Sequence, residues 1–143
     1  MTARCYLVRH AKAEAEAPGG DAARRLTPAG REAFGARLRE LEGELRVTRI
    51  FTSPFTRARE TADLLAAATG APVRVDQRLA CGASDGGQLL ALARRLGDGV
   101  ALVGHNPELA EAIGLAGGGG VEVSPGTIAA VGADGRVVWV RGR

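Results

Sequence analysis

The chain has two histidines, and each falls where an apolar run ends: Val8 is followed by Arg9-His10, and Val103 by Gly104-His105-Asn106-Pro107. A third junction of the same kind, Phe51-Thr52-Ser53-Pro54, carries Arg57 within the next turn. An imidazole with one unprotonated nitrogen can attack an electrophile. Guanidiniums beside it disfavour the imidazolium and grip tetrahedral oxyanions. None of the three junction motifs contains a carboxylate. Two imidazoles and two guanidiniums without a counter-charge describe a pocket for a phosphoryl group, with His10, Arg9, Arg57 and His105 as its chemical groups.

These residues can meet only if the runs that carry them are neighbouring strands of one sheet. Cys5–Val8, 47–52, Val73–Val75, 99–103, 127–131 and 137–140 read as strands, the last two forming an antiparallel hairpin about the Asp134-Gly135 turn. Helical spacing recurs between them. Thr27 with Pro28 predicts an N-terminus followed by Phe34, Leu38, Leu41 and Leu45 on one face. Ser53-Pro54 predicts a helix continuing through Ala58, Ala62 and Leu65 to a stop at Gly70. Residues 84–96 and 106–115 predict two more, the last opened by Asn106-Pro107. The expectation is therefore an α/β fold in three layers, a mainly parallel central sheet flanked by helices, with a C-terminal hairpin. In open sheets of this kind ligands bind outside the carboxyl ends of the strands, where the three junctions lie. The helix starts at Ser53 and Asn106 would add backbone N–H groups there.

Composition narrows the classes. With 143 residues and 45% apolar content the chain reads as one domain, residues 1–143, with an aliphatic core, and 3% aromatics argue against a nucleic-acid stacking platform. The 19 basic and 16 acidic residues are interleaved, giving +3 overall, which fits a local anion pocket better than a polyanion surface. No apolar run is long enough for a membrane helix, and the N-terminus lacks a signal-peptide pattern, so a cytoplasmic protein is expected. Cys5 and Cys81 form neither a CxxC pair nor a disulfide framework and read as reduced thiols, Cys5 in a core strand and Cys81 in a loop. Two histidines without an i, i+4 pair do not make a zinc site, so no metal or other cofactor is expected. The glycine run 117–120 reads as a flexible loop and no P-loop, and no Gly-x-Ser-x-Gly turn is present.

Leu-Val-Arg-His-Ala at 7–11, Ser-Pro-Phe-Thr-Arg-Ala-Arg-Glu-Thr at 53–61 and Val-Gly-His-Asn-Pro at 103–107 resemble the motifs of the histidine phosphatase superfamily, the phosphoglycerate mutase-like proteins. With Arg24-Arg25-Leu26-Thr27-Pro28 after the first motif, the chain is most similar to the small SixA-type phosphohistidine phosphatases. The resemblance implies that His10 is the nucleophile of a phosphohistidine intermediate, that Arg9, Arg57 and His105 bind the phosphoryl oxygens, and that Arg24, or its neighbour Arg25, reaches the same pocket. Asn106 joins Arg24 as an expected substrate-binding residue.

Two departures from the family pattern stand out. Ala11 occupies a glycine position, which the backbone tolerates where φ is negative. Larger members that cleave phosphoesters carry an acid between the second and third motifs, whereas residues 78–84 here contain none, leaving Asp85 or Glu14 as possible donors. An imidazole leaving group needs less acid help than an alkoxide. The expected substrate is thus phosphohistidine on a partner protein. The alternatives are a small phosphate monoester and a non-catalytic phosphohistidine-binding module.

Overall fold

The computed structural model describes residues 3–142. Six strands form one sheet in the order β3-β2-β4-β1-β5-β6, with β1 at Ala3–Arg9, β2 at Arg49–Thr52, β3 at Val73–Val75, β4 at Val100–Gly104, β5 at Ile128–Gly132 and β6 at Val137–Arg141. β1, β4, β2 and β3 are parallel; β5 runs antiparallel to β1, and β6 to β5. Four helices accompany them: α1 at Pro28–Glu40, α2 at Thr56–Thr69, α3 at Gly86–Leu96 and α4 at Glu108–Ile113. The three-layer expectation is thereby met, hairpin included.

The alternation of β1 explains the layering. Tyr6 and Val8 pack with Phe34, Leu38 and Leu65 of α1 and α2, whereas Cys5 and Leu7 pack with Leu89 and Leu92 of α3 and with α4. Both faces are covered, and so β4 and β5 are apolar along their whole length and β1 from Cys5 to Val8. No helix among the described residues is long and apolar enough to cross a membrane.

Local chemistry sets the helix ends and corrects several expectations. Thr27 caps α1 as predicted, its hydroxyl accepting from Gly30 N at 2.9 Å, but α1 stops at Glu40, so Leu45 lies beyond it. The second helix begins at Thr56 after Phe55 rather than at Ser53, because Ser53 Oγ accepts from Phe55 N at 3.1 Å and bends the chain into a turn first. Asp85 forms a reciprocal capping box with Gln88, at 2.8 and 2.9 Å, so α3 starts at Gly86 rather than at residue 84. The Asn106-Pro107 peptide is cis, and α4 is a six-residue helix opening at Glu108. It is too short to serve as a dipole site, and a wide turn at Gly114–Gly118 takes in the start of the glycine run.

Candidate active site

The carboxyl ends of β1, β4 and β2 are adjacent in the sheet, and backbone hydrogen bonds lock their exits together. His10 N donates to Gly104 O and Ser53 N to Val103 O, each at 3.0 Å. Gly126, in the left-handed region at φ 82°, donates to the carbonyls of both Arg9 and His10. A side chain there would be strained, and this tight turn fixes the orientation in which β1 ends. Thr61 Oγ1 accepts from Ala11 N at 3.0 Å and donates to Arg57 O at 2.8 Å, joining the first motif to the second. No described non-glycine residue has positive φ, so the alanine at position 11 fits the strand exit without strain.

His10 and His105 come to 5.2 Å between ring centroids, with exposures of 8% and 2%. Nδ1 of His10 lies 2.7 Å from Ala11 O. A carbonyl only accepts, so Nδ1 carries the proton and Nε2 keeps its lone pair. The neutral form dominates: burial first, then the charges of Arg57, Arg9 and Arg24, hold His10 at about 4, against the raising effect of the Ala11 bond. His105 is lowered to about 3, by burial first, then by His10, Arg57 and Arg9, with Asp21 opposing.

His105 Nε2 lies 2.8 Å from Ser53 Oγ. That oxygen also accepts from Phe55 N at 3.1 Å, so Ser53 ties the second imidazole to the turn ahead of α2. Nδ1 of His105, Nε of Arg9 and Nε of Arg57 are buried and have no protein partner among the described residues. Buried polar atoms left this way cost stability unless another partner meets them. Here all three belong to residues singled out for binding one oxyanion.

The guanidiniums are held from behind. Arg9 Nη1 donates to Val123 O at 3.0 Å, and Asn106 Nδ2 donates to the same carbonyl at 2.9 Å. Arg57, 4% exposed, donates from Nη1 to Asp21 O at 2.8 Å and from Nη2 to Asp21 Oδ2 at 3.2 Å, and lies 5.0 Å over the Phe55 ring. Phe55 in turn sits edge-on to His105 at 5.0 Å. Asn106 therefore positions a loop rather than capping a helix, and its buried Oδ1 has no protein partner among the described residues.

Arg24 is drawn to this site and Arg25 is not. Arg24 Nη1 pairs with Asp21 Oδ1 at 2.9 Å and its charge acts on His10, whereas Arg25 points to Glu60 at 3.5 Å with its side chain 70% exposed. Both expected acids are engaged in local structure: Asp85 Oδ1 accepts from Gln88 N in its capping box, and Glu14 Oε1 accepts from Arg25 N at 3.2 Å.

Sequence reasoning missed Asp21, Phe55, the Val123 carbonyl and Glu108. Glu108 is buried, and its Oε2 accepts from Gly82 N at 3.2 Å. The Asp21-x-x-Arg24 spacing was a usable signal for the first; a backbone carbonyl leaves none. Cys5 is buried in β1 and Cys81 lies exposed beside Gly82, as expected. No group of three or more His, Cys, Asp or Glu side chains among the described residues is arranged to hold a metal ion.

Residues 5–81 match the profile of the "Histidine phosphatase superfamily (branch 1)". No curated protein matches the chain. Among solved structures, a SixA protein of Agrobacterium tumefaciens, a candidate phosphohistidine phosphatase, superposes with a TM-score of 0.84 at 24% identity, over 100% of this chain and 99% of that one. The protein histidine phosphatase SixA complexed with tungstate gives 0.83 at 22% identity, over 97% and 96%. A SixA protein from Nakamurella multipartitia gives 0.72 at 27% identity, over 99% and 96%.

Proposed function

The chain belongs to the histidine phosphatase superfamily, and from that premise we propose that it is a metal-independent phosphatase that dephosphorylates phosphohistidine on a partner protein through His10. The observation that carries this reading is the state of His10: neutral, protonated at Nδ1 by its bond to Ala11 O, and grouped with the buried, unpartnered Nε atoms of Arg9 and Arg57 and Nδ1 of His105. Nε2 attacks phosphorus in line, its new P–N bond forming as the P–N bond to the substrate imidazole breaks, and the departing ring takes a proton from solvent. Water then cleaves the phosphohistidine of the enzyme, releasing inorganic phosphate and restoring His10. The two guanidiniums and His105 neutralise the charge spread over the equatorial oxygens, which supports catalysis by positioning and electrostatics without a metal or cofactor.

The protonation demand of the substrate supports an N–P bond over an O–P bond, since Asp85 and Glu14 are engaged in local structure. One sheet through the described residues supports reading residues 1–143 as one domain, and we take it to act in the cytoplasm on protein rather than on nucleic acid or membrane. The test is phosphate release from a phosphohistidine protein and from an aryl phosphate ester side by side, with His10→Ala as control. Faster turnover of the protein, together with an acid-labile, alkali-stable phosphoenzyme that vanishes in the variant, is expected. Equal or slower turnover of the protein removes the substrate assignment, and the absence of any phosphoenzyme leaves a binding module.

One observation favours a small phosphate ester as the second reading. Glu108 puts a carboxylate against the turn at 80–84, the stretch from which larger members supply an acid. A Glu108→Gln variant that loses ester turnover while keeping phosphohistidine turnover would establish it.

A further inference from the structure

Asp21 lies in a short 3-10 turn at Asp21–Ala23 that buries none of its residues, and its side chain is 62% exposed. It nevertheless makes three contacts with the cations of the site. Its backbone carbonyl and Oδ2 take Nη1 and Nη2 of Arg57, at 2.8 and 3.2 Å, and its Oδ1 takes Nη1 of Arg24 at 2.9 Å. Arg24 is fixed from the other side by donating Nε to Glu14 O. Between them these bonds occupy the outer edge of Arg57, so that Nε is its buried donor without a protein partner.

A guanidinium has five N–H donors in a rigid fork and prefers to offer two of them in parallel to an oxyanion. Arg57 could grip a phosphate that way through Nη1 and Nη2, but Asp21 already holds that edge. A carboxylate beside an anion site also repels the anion, most strongly the dianion left after hydrolysis.

We propose, on the basis of the phosphatase reading above, that Asp21 is a positioning residue which aims Arg57 and Arg24 at the phosphoryl group while limiting how tightly free phosphate is held. The carboxylate bridges the two guanidiniums, takes up the outer edge of Arg57 and leaves Nε facing inward. Orientation for the transferring group is improved, and ground-state affinity for the product is kept low. The two effects have opposite signs in an Asp21 variant, which a purely structural residue would not produce.

The experiment measures kcat, KM and inorganic phosphate binding by calorimetry for the full chain and for Asp21→Asn, Asp21→Ala and Asp21→Glu. In Asp21→Asn and Asp21→Ala, kcat falls about tenfold as Arg57 loses its aim. Phosphate binds about threefold tighter in the same variants, the size expected for losing one exposed like charge. Asp21→Glu recovers part of kcat by rebuilding the bridge. In an Arg57→Lys background, which has no fork to aim, Asp21→Asn lowers kcat little further. Unchanged kcat and phosphate affinity in Asp21→Ala would overturn the proposal, as would weaker phosphate binding together with a lowered melting temperature. Should the unaltered chain show no turnover, the phosphatase reading fails, and the calorimetry still decides whether Asp21 controls Arg57.

Discussion

At the floor of the site, Arg9 has no carboxylate partner among the described residues, and polar atoms of Arg9, Arg57 and His105 are buried without protein partners there. On the rim and farther out, carboxylates have partners. Asp21 bridges Arg24 and Arg57, Asp76 pairs with Arg78 at 2.6 Å, and Asp85 is held in its capping box. The contrast separates two uses of the same residue types. Each rim pair has one exposed partner, and pairs of that kind are worth little to stability. The unmatched floor is a cost that folding carries because a tetrahedral anion can satisfy it, and burial makes that interaction stronger than on the surface.

If the floor does the chemistry, removing its nucleophile has the largest effect. His10→Ala should lower phosphate release by about 10⁴-fold or more. A loss below tenfold would mean that some other group accepts the phosphoryl. Arg57→Lys keeps the charge but loses the fork and the stacking on Phe55, and a loss of about a hundredfold in kcat is expected from steady-state assays.

The floor should also show in the response to acid. His10 and His105 have folded values of about 4 and 3, below the ordinary 6.5, so the unfolded chain binds more protons across that interval. Stability is therefore fully present above pH 6.5 and is lost as pH falls toward 4 and then 3. The melting temperature should drop over that window, and a His10→Asn variant should drop less steeply. The acid limb of kcat/KM should likewise inflect near 4 rather than near 6.5.

The rim offers the smallest effect. Asp85→Ala removes the cap of α3 and should reduce stability by about 1 kcal/mol in chemical unfolding, with turnover of either substrate unchanged. A selective loss of ester turnover would instead return Asp85 to the chemistry and blur the line between floor and rim.

The elements were legible in the sequence because each follows from a local pattern: an apolar run, a Thr27 cap, a Gly70 stop, a turn at Asp134-Gly135. Boundaries were less so. Ser53 and Asn106 both looked like helix caps, but Ser53 bends the chain ahead of α2 and bonds to His105, and Asn106 ties a loop to Val123. Which partner a short polar side chain chooses depends on what tertiary packing brings near it.

The sequence alone determined which side chains form the floor, because Arg9, His10, Arg57 and His105 sit at strand exits and a parallel sheet gathers such exits on one edge. The tertiary structure alone decided their states. The proton of His10 is placed by a carbonyl one residue away, Arg24 is chosen over Arg25 by the direction of the 13–26 loop, and Arg57 is aimed by a carboxylate 36 positions distant. Protonation and orientation depend on burial and on contacts between segments far apart in the chain, and no local pattern encodes those.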